Sequence, residues 1–415
     1  NFSSIVVYGK LKILGSSTFT STGTQGIILR IYGVFDVEGS ASAPTITTTA
    51  FRTSSRLELG THRGTFIMNG GILNISGNNY ADTHPAFALP FGDNTFQMSD
   101  GTINITNSTY YDGGQATNWS WLVSANKSNI SVTGGTVNIN ATARNAYINS
   151  TAPFYNLNFT GNATYTNEIQ SITDQYDGGN LVVPAAPLRE LVVLHDLNIG
   201  AAATFITNDQ NVTVGGNFTI NSTVGSTYTP GGNNTTFNGY SLQNFTNAGT
   251  ITNGLYNLTL TNSSILSITN YLTIRNNLII GSENTLRDEG HTINVAGNIT
   301  NNGTHESVTG GSLILNGTLD QYINGNGEGV FGNLSLNKAT GSTFQSANIS
   351  ITGNLRLANT AALLDIGSNM LTLSATSFIY DALAANTNTN FSATRMIQTD
   401  GIQSDLGIQR TYAST

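Results

Sequence analysis

A repeated pattern of short apolar runs between Leu255 and Leu373 constrains the fold of this chain more than any other feature. Leu255–Leu260 (LYNLTL) returns as Phe331–Leu336 (FGNLSL), a shift of 76 positions (331 minus 255). Within each run apolar and polar residues alternate, and Gly-Asn pairs separate one run from the next. Alternation with period two is typical of strands, and Gly and Asn are typical of the turns between them. The pattern predicts a stack of similar β units.

The repeat extends towards the N-terminus, where Val212–Asn217 (VTVGGN) reappears as Ile293–Asn298 (INVAGN), a shift of 81 positions (293 minus 212). Such self-similarity is the signature of a solenoid, in which each unit buries its apolar face only against its neighbours. Units near 80 residues that hold many short strands predict about four coils of roughly 20 residues each. We therefore predict an all-β fold, a right-handed parallel β-helix, since parallel crossovers are nearly always right-handed.

The regularity of the repeat divides the chain into three parts. For residues 1–190 we predict irregular coils that carry two longer loop insertions. For residues 191–380 we predict regular coils, because the repeated runs keep their spacing there. For residues 381–415 we predict a loop that is followed by a final coil or by the start of another module. The chain begins with Asn and ends without a recognisable cap, so we expect it to be a piece of a longer protein.

Composition excludes several classes of function. The formal net charge of -8 argues against nucleic acid as a partner. The chain has no cysteine, which excludes a disulfide framework and zinc-thiolate sites. Charged residues make up only 9%, but hydrophobic residues reach 38% and fall at alternating positions, so a core can form.

Two sets of residues test the coil assignment. The alternating apolar residues of the best-matched units should point to the interior: Ile274, Ile293, Val295, Leu315, Ile351 and Leu357. The Gly-Asn pairs should lie at bends, because Gly, and less readily Asn, tolerates positive φ: Gly216-Asn217, Gly297-Asn298 and Gly353-Asn354. Asn that recurs at corners would allow hydrogen-bonded ladders from coil to coil.

Several motifs resemble those of very large cell-surface proteins of Bacteroidetes. They are L-x-I-x-G-N-L-x-L, here Ile349–Leu357, N-L-T-L, here Asn257–Leu260, and V-x-G-N-x-T-N-x-G, here Val295–Gly303. The resemblance covers residues 191–415 and implies a β-helix adhesin exported by the type IX system, of the class that includes the gliding-motility adhesins. It further implies an extracellular location at the cell surface, contact with the export machinery of the outer membrane, and attachment to polysaccharide or another surface. A rod-like stalk that mediates surface attachment is the function we expect.

Candidate catalytic and metal-binding residues are sparse, and we predict no enzyme activity, no catalytic residues, no metal site and no cofactor. The alternative is a polysaccharide-binding or polysaccharide-degrading β-helix, which needs a groove with clustered acids and a basic residue. Asp174 and Asp177 lie close enough in sequence to hold calcium, but an acidic surface turn is the better interpretation. His195-Asp196 has no serine elbow to complete a triad, so a turn is the better interpretation. An ice-binding face would need Thr-x-Thr kept in one register, and the repeat partner of Thr259-Leu260-Thr261 reads SLN.

The better candidates for recognition are aromatic residues in the two insertions, 78–94 and 107–126. Both tryptophans of the chain lie there, and Tyr and Trp combine a flat apolar face with a polar group that suits sugar or protein contacts. We predict a ligand-binding role for Tyr110, Tyr111, Trp119 and Trp121, with at least one tryptophan accessible. The alternative is a small satellite core beneath the loops. Membrane insertion by this segment is not expected.

Overall fold

The computed structural model describes residues 4–20, 28–38, 44–48, 50–53, 64–77, 85–108, 119–177, 180–222, 225–381 and 390–412. In this part of the chain the fold is all-β, and its one helical turn is the 3-10 turn Lys127–Asn129. No helix in these ranges has the length and apolar character needed to cross a membrane. The chain divides into two compact units, Asn1–Thr213 with Thr219–Gly231, and Val214–Phe218 with Gly232–Thr415.

Strands of successive coils pair in parallel, which confirms the predicted parallel β-helix. In the second unit Leu258 lies opposite Leu278, and Leu278 lies opposite Ile299. These partners are 20 and 21 residues apart (278 minus 258, 299 minus 278), so one coil has the predicted length. Ile397–Thr399 and Gly407–Arg410 pair with the strands before them in the same parallel manner, and so continue the ladders beyond residue 380.

The first unit contains two main columns of strands and a hairpin. One column comprises Ser4–Val7, Ile28–Ile31, Ala50–Thr53, Phe87–Leu89, Trp119–Val123, Ala146–Ser150, Thr166–Ile169, Thr204–Ile206 and Thr227–Thr229. The other comprises Lys10–Leu14, Thr18–Thr20, Val34–Glu38, Thr45–Thr48, Thr65–Ile75, Thr95–Ile105, Ile130–Val132, Thr136–Ala141, Asn156–Gly161 and Leu197–Ile199. Three further strands are Gln175–Asp177 and Asn180–Val183, which pair antiparallel, and Leu191–Val193.

The coils of the second unit contribute strands to three columns, so that a complete coil has three sides. The first column is Asn234–Phe237, Asn257–Leu260, Leu278–Ile280, Ile299–Asn301, Gln321–Asn324, Thr343–Gln345, Leu364–Gly367 and Ile397–Thr399. The second is Leu272–Ile274, Thr292–Val295, Ser312–Leu315, Leu334–Leu336, Leu355–Leu357 and Ile379–Tyr380. The third is Leu242–Asn247, Ile265–Ile268, Thr285–Arg287, Thr304–Glu306, Gly329–Phe331, Ile349–Ile351, Met370–Leu373 and Gly407–Arg410. Thr250–Ile251 is a short additional strand, and Val212–Val214 and Phe218–Ile220 contain residues of both units.

The predicted core residues are in the interior, which confirms the alternating register. All six have at most 1% of their surface exposed: Ile274, Ile293, Val295, Leu315, Ile351 and Leu357. Their neighbours along the strand, such as Asn294 between Ile293 and Val295, are half-buried on the outer side. One face of each strand therefore builds the core, as period two requires.

The Gly-Asn pairs lie at bends between strands, as predicted, but the reason differs from the one expected. Gly297 and Gly353 do not have positive φ. Instead, a Cβ on Gly297 would lie 2.5 Å from the carbonyl oxygen of Asn276, and one on Gly353 would lie 2.5 Å from Oδ1 of Asn333. Glycine is needed at these corners because the neighbouring coil approaches too closely for any side chain.

Asparagine side chains at the corners bond to the next coil, so the expected ladders are present. Oδ1 of Asn257 accepts a hydrogen bond of 3.0 Å from the backbone N–H of Asn277, and Oδ1 of Asn277 accepts one of 2.9 Å from the N–H of Asn298. Oδ1 of Asn298 in turn accepts a bond of 2.9 Å from the N–H of Tyr322. Each corner amide therefore satisfies a backbone donor that the bend removes from the strand ladder.

The two predicted insertions need correction. Their described residues include Phe87–Leu89 and Trp119–Val123, which are not projecting loops. Both are strands of the column of the first unit that begins with Ser4–Val7. Every residue of both strands is buried, so the alternation that would have identified them in the sequence is missing. Residues 78–84 and 109–118, which make up much of the two insertions, lie outside the described residues.

Candidate functional site

The two tryptophans predicted to face a ligand are in the interior. Trp121 is 1% exposed and stacks on Phe87, with ring centroids 4.3 Å apart, while its Nε1 donates a hydrogen bond of 3.2 Å to Oγ of Ser150. Trp119 is 5% exposed and meets the ring of Tyr147 edge-on. The expectation that one of the tryptophans would be accessible is therefore wrong. Tyr110 and Tyr111 lie outside the described residues, and their ligand-binding role stays a prediction.

A second apolar layer explains why Trp119 is covered. Its cluster joins Ala88 and Leu122, on the strands Phe87–Leu89 and Trp119–Val123, to three side chains of the segment 170–190, namely Ile172, Val183 and Ala186. This segment folds back on itself through a pair of hydrogen bonds between Ile172 and Ala186. It covers the outer face of the column and forms the satellite core that was the alternative interpretation.

The residues considered for metal binding or catalysis are engaged in local contacts. Oδ1 of Asp174 accepts a hydrogen bond of 2.6 Å from the N–H of Ala185. His195 stacks on Tyr155 and its Nδ1 lies 3.2 Å from Oδ2 of Asp196, in an exposed turn. Among the described residues, no group of three or more His, Asp or Glu side chains is placed to hold a metal ion. The expectation of no metal site, with calcium at Asp174 and Asp177 as its alternative, stays a prediction.

Asp288 and His305 form a pair that is fully buried in the second unit, with His305 Nε2 3.3 Å from Asp288 Oδ2. Burial raises the pKa of Asp288, but the adjacent side chains of His305 and Ser307 and the hydrogen bond from the N–H of Gly290 lower the pKa by more, so the net shift is downward. Oγ of Ser307 lies 3.5 Å from His305 Nε2, the nitrogen that also faces Asp288. A catalytic triad would instead use the two ring nitrogens for the two partners, so this cluster does not have the arrangement of a triad.

An open cleft of about 660 Å³ lies in the first unit, where a coil lacks one strand. Ile130–Val132 pairs in parallel with Phe96–Met98 on one side. The next coil contributes only the single bridge Phe154↔Val193, and residues 151–153 form no ladder. A gap is therefore left between Ile130–Val132 and Leu191–Val193.

The lining of this cleft combines apolar, hydroxyl and charged groups. Its volume falls in the range of about 300–1,000 Å³ that is usual for ligand sites. The lining residues share an origin in three successive coils: Lys127, Ile130, Ser131 and Val132 from one, Ser150, Thr151, Ala152 and Pro153 from the next, and Arg189, Glu190 and Val192 from the third.

Arg189 is the most constrained charged group in the cleft. Its Nη1 donates to the carbonyl oxygen of Val123 at 3.3 Å, to Oγ of Ser124 at 3.2 Å and to Oδ1 of Asn149 at 2.8 Å. Burial lowers the pKa of Arg189, although a guanidinium stays protonated at neutral pH. Within the described part of the chain, Nε and Nη2 donate no hydrogen bond, and neither atom is buried. This free edge has the geometry that binds a carboxylate through two parallel hydrogen bonds.

Sequence reasoning missed this site because its residues carry no motif. Lys127 and Arg189 are 62 positions apart (189 minus 127) and look like ordinary surface charges. One signal was available: in a chain with only 9% charged residues, Arg189-Glu190 directly follows a segment with Pro184 and Pro187 that interrupts the coils. No family model, curated protein or solved structure matches the chain.

Proposed function

We propose that this chain is a structural and adhesive segment of a large exported cell-surface protein. The observation that supports the proposal best is the way its coils depend on one another. Leu313, for example, is fully buried and pairs with Ile293 on one side and Leu334 on the other. Each coil completes the core of the next, so the fold lengthens by adding coils and suits a scaffold that carries attachment sites.

The resemblance of Ile349–Leu357 and Val295–Gly303 to motifs of Bacteroidetes surface adhesins supports the cellular setting. On this proposal the protein is extracellular, leaves the cell through the type IX export machinery of the outer membrane, and serves adhesion or gliding motility. Its partner is a surface polysaccharide or another extracellular surface. Neither nucleic acid nor insertion of this segment into a membrane is part of the proposal.

A second candidate function is a β-helix that binds or degrades polysaccharide. The cleft of the first unit favours it, because Lys127, Arg189 and Glu190 place two cations and an acid around a space of suitable size. Degradation would need at least one of these groups to act as acid or base on a bound sugar.

The two candidates differ in what the isolated chain does to a surface. Beads coated with residues 1–415 would be tested for adhesion to polysaccharide-coated and protein-coated surfaces under flow, beside beads coated with heat-unfolded chain. Adhesion of the folded chain alone, without release of reducing ends from the polysaccharide, supports the adhesive segment. Release of reducing ends that is lost in Glu190→Gln supports the enzyme, and absence of both leaves only the scaffold role.

A further inference from the structure

The gap beside Ile130–Val132 has the features of a missing strand. In a parallel ladder, alternate residues direct both backbone groups to the same neighbour. The N–H of Thr133 donates to the carbonyl oxygen of Met98, so Ser131 and Thr133 face the paired strand, whereas the backbone groups of Val132 face the gap. The N–H of Ile130 donates to the carbonyl oxygen of Lys127. Within the described residues, the N–H and C=O of Val132 have no hydrogen-bond partner. An unpaired strand edge of this kind is a template for another strand.

The side chains beside the gap also lack a neighbour. Phe96 and Met98, on the strand beneath, are 1% and 3% exposed. Ile130 and Val132 occupy the next positions of the same ladder, yet both are only half-buried. On the far side of the gap, the N–H of Val192 points towards it as well, because the C=O of Val192 accepts from Phe154 and the two groups of one residue point the same way.

Two cations lie at the same end of this gap. Lys127 precedes the strand Ile130–Val132, and Arg189 precedes the strand Leu191–Val193. Arg189 offers the free Nε–Nη2 edge, and Lys127 is exposed. Glu190 also lines the cleft and is exposed, so its carboxylate would repel a ligand with several acidic groups.

We propose that this cleft binds an extended peptide that carries one acidic residue next to alternating aliphatic residues. The peptide would add a strand beside Ile130–Val132, place its aliphatic side chains on Ile130 and Val132, and present its carboxylate to Arg189. Strand addition of this kind takes affinity from the backbone and specificity from the side-chain contacts.

The lining favours a peptide over a saccharide. None of the eleven residues around the cleft is aromatic, so no ring is available for stacking on a sugar. Aliphatic side chains and unpaired backbone groups are what an extended peptide would use. This proposal goes beyond the adhesive function above and stands or falls without it.

The first test measures binding of a labelled peptide to residues 1–415 by fluorescence anisotropy. The probe is acetyl-Thr-Glu-Val-Thr-Val-Thr-amide, and its control has Gln in place of Glu. We expect the Glu peptide to bind about tenfold more tightly than the Gln peptide, as for one charge-assisted hydrogen-bonded contact. Arg189→Lys keeps the charge but loses the guanidinium edge that can form two parallel hydrogen bonds. It should remove most of the difference in affinity between the Glu and Gln peptides. Equal binding of the two peptides to the unchanged chain would overturn the proposal.

The second test addresses the strand edge itself. Val132→Pro removes a backbone N–H that pairs with nothing in the described chain, so the coil should fold normally and peptide binding should be lost. Val132→Ala keeps the N–H and is the matched control, expected to bind within a few-fold of the unchanged chain. Thermal unfolding of both variants checks the fold. If Val132→Pro destabilises the coil, hydrogen exchange on the unchanged chain decides, because the bound peptide should protect the amide of Val132. Binding of oligogalacturonate but of neither peptide would also overturn the proposal.

Discussion

The ammonium group of Lys338 donates a hydrogen bond of 3.0 Å to Oε1 of Gln321 in the interior of the second unit. The same oxygen accepts a bond of 2.8 Å from the N–H of Gly317, and Nε2 of Gln321 donates to the carbonyl oxygens of Val295 and Gly297. Both side chains are almost completely buried. The amide of Gln321 therefore joins backbone groups of two coils at one corner, where the bend leaves them without ladder partners.

Replacement of Gln321 by Leu should destabilise the second unit. The change leaves several buried backbone groups and the Lys338 ammonium with fewer partners, which costs about 1–3 kcal/mol for each unsatisfied group. The measurement is the free energy of unfolding in urea at neutral pH. Leu319→Gln, at a residue that is 79% exposed nearby, is the control and should change stability by at most about 0.5 kcal/mol. Equal stability of both variants would contradict the role given to Gln321.

The sequence repeat places an equivalent glutamine one unit earlier in the chain. Gln243 holds the equivalent corner, where its Oε1 accepts a hydrogen bond of 2.9 Å from the N–H of Gly239. Gln243 and Gln321 are 78 positions apart (321 minus 243), between the repeat shifts of 76 and 81. The second donor to this glutamine oxygen could not be predicted from the repeat. Ser264 Oγ donates to Gln243, whereas Lys338 Nζ donates to Gln321, and these residues are 74 positions apart (338 minus 264). Different side chains from different positions reach the same acceptor, because only the location of the donor atom matters.

The same limit explains the misplaced tryptophans. Alternation identified Ile293 and Val295 as core because one side of their strand meets solvent. Trp119–Val123 is buried on both sides, since the segment 170–190 covers it, and a strand covered on both faces loses its period-two signal. The local sequence cannot indicate that a strand is covered by residues about 50 positions away. Ile172, for example, covers Leu122 (172 minus 122).

Alanine at Gly297 or Gly353 should destabilise the coils, although neither glycine has positive φ. The added Cβ would overlap backbone or side-chain atoms of the adjacent coil at 2.5 Å, and overpacking of this kind typically costs about 1–3 kcal/mol. Gly9→Ala is the matched control, because nothing lies within 4 Å of a Cβ there. Thermal unfolding of the three variants measures the effect. A loss of stability in the Gly9 variant equal to that of the Gly297 variant would show that flexibility, and not close approach, matters.

Truncation of Ile293 to Ala should cost about 2–5 kcal/mol, because its side chain is fully buried between Leu272 and Leu313 of the adjacent coils. Ile279→Ala provides the comparison at a residue that is 38% exposed on the outer side of its strand. We expect a clearly smaller loss there, since little apolar area leaves contact with the core. Urea unfolding measures both, and similar losses would contradict the inward register.

A ladder of asparagine side chains on the outer face of the first unit should also contribute to stability. Nδ2 of Asn104 donates to Oδ1 of Asn74 at 2.8 Å, and Nδ2 of Asn138 donates to Oδ1 of Asn104 at 2.7 Å. Asn158 continues the ladder by donating to Asn138 at 2.8 Å. Asn104→Asp removes a donor and sets a carboxylate against Oδ1 of Asn74, so we expect a loss of about 1 kcal/mol at neutral pH. Recovery of that stability near pH 3, where the carboxyl regains a proton, is the check on this explanation.

Asp288 should make the stability of the second unit depend on pH in the acid range. Its pKa is lowered by the folded structure, so its contribution is fully present above the unfolded value of about 3.9 and is lost as the pH falls through the lower folded value. Asp288→Asn keeps the shape and removes the charge. The variant should therefore be less stable than the unchanged chain at pH 5 to 7, by about 1–3 kcal/mol, and the difference should shrink towards pH 3 and below. Glu289→Gln changes the net charge equally at an exposed neighbour and keeps an oxygen that can accept the hydrogen bond from Oγ of Ser267. It is the control and should change stability at neutral pH by less than Asp288→Asn does. Urea unfolding of the three proteins at several pH values measures this, and an Asp288→Asn curve that runs parallel to the unchanged chain would show that the buried pair with His305 does not set the acid stability.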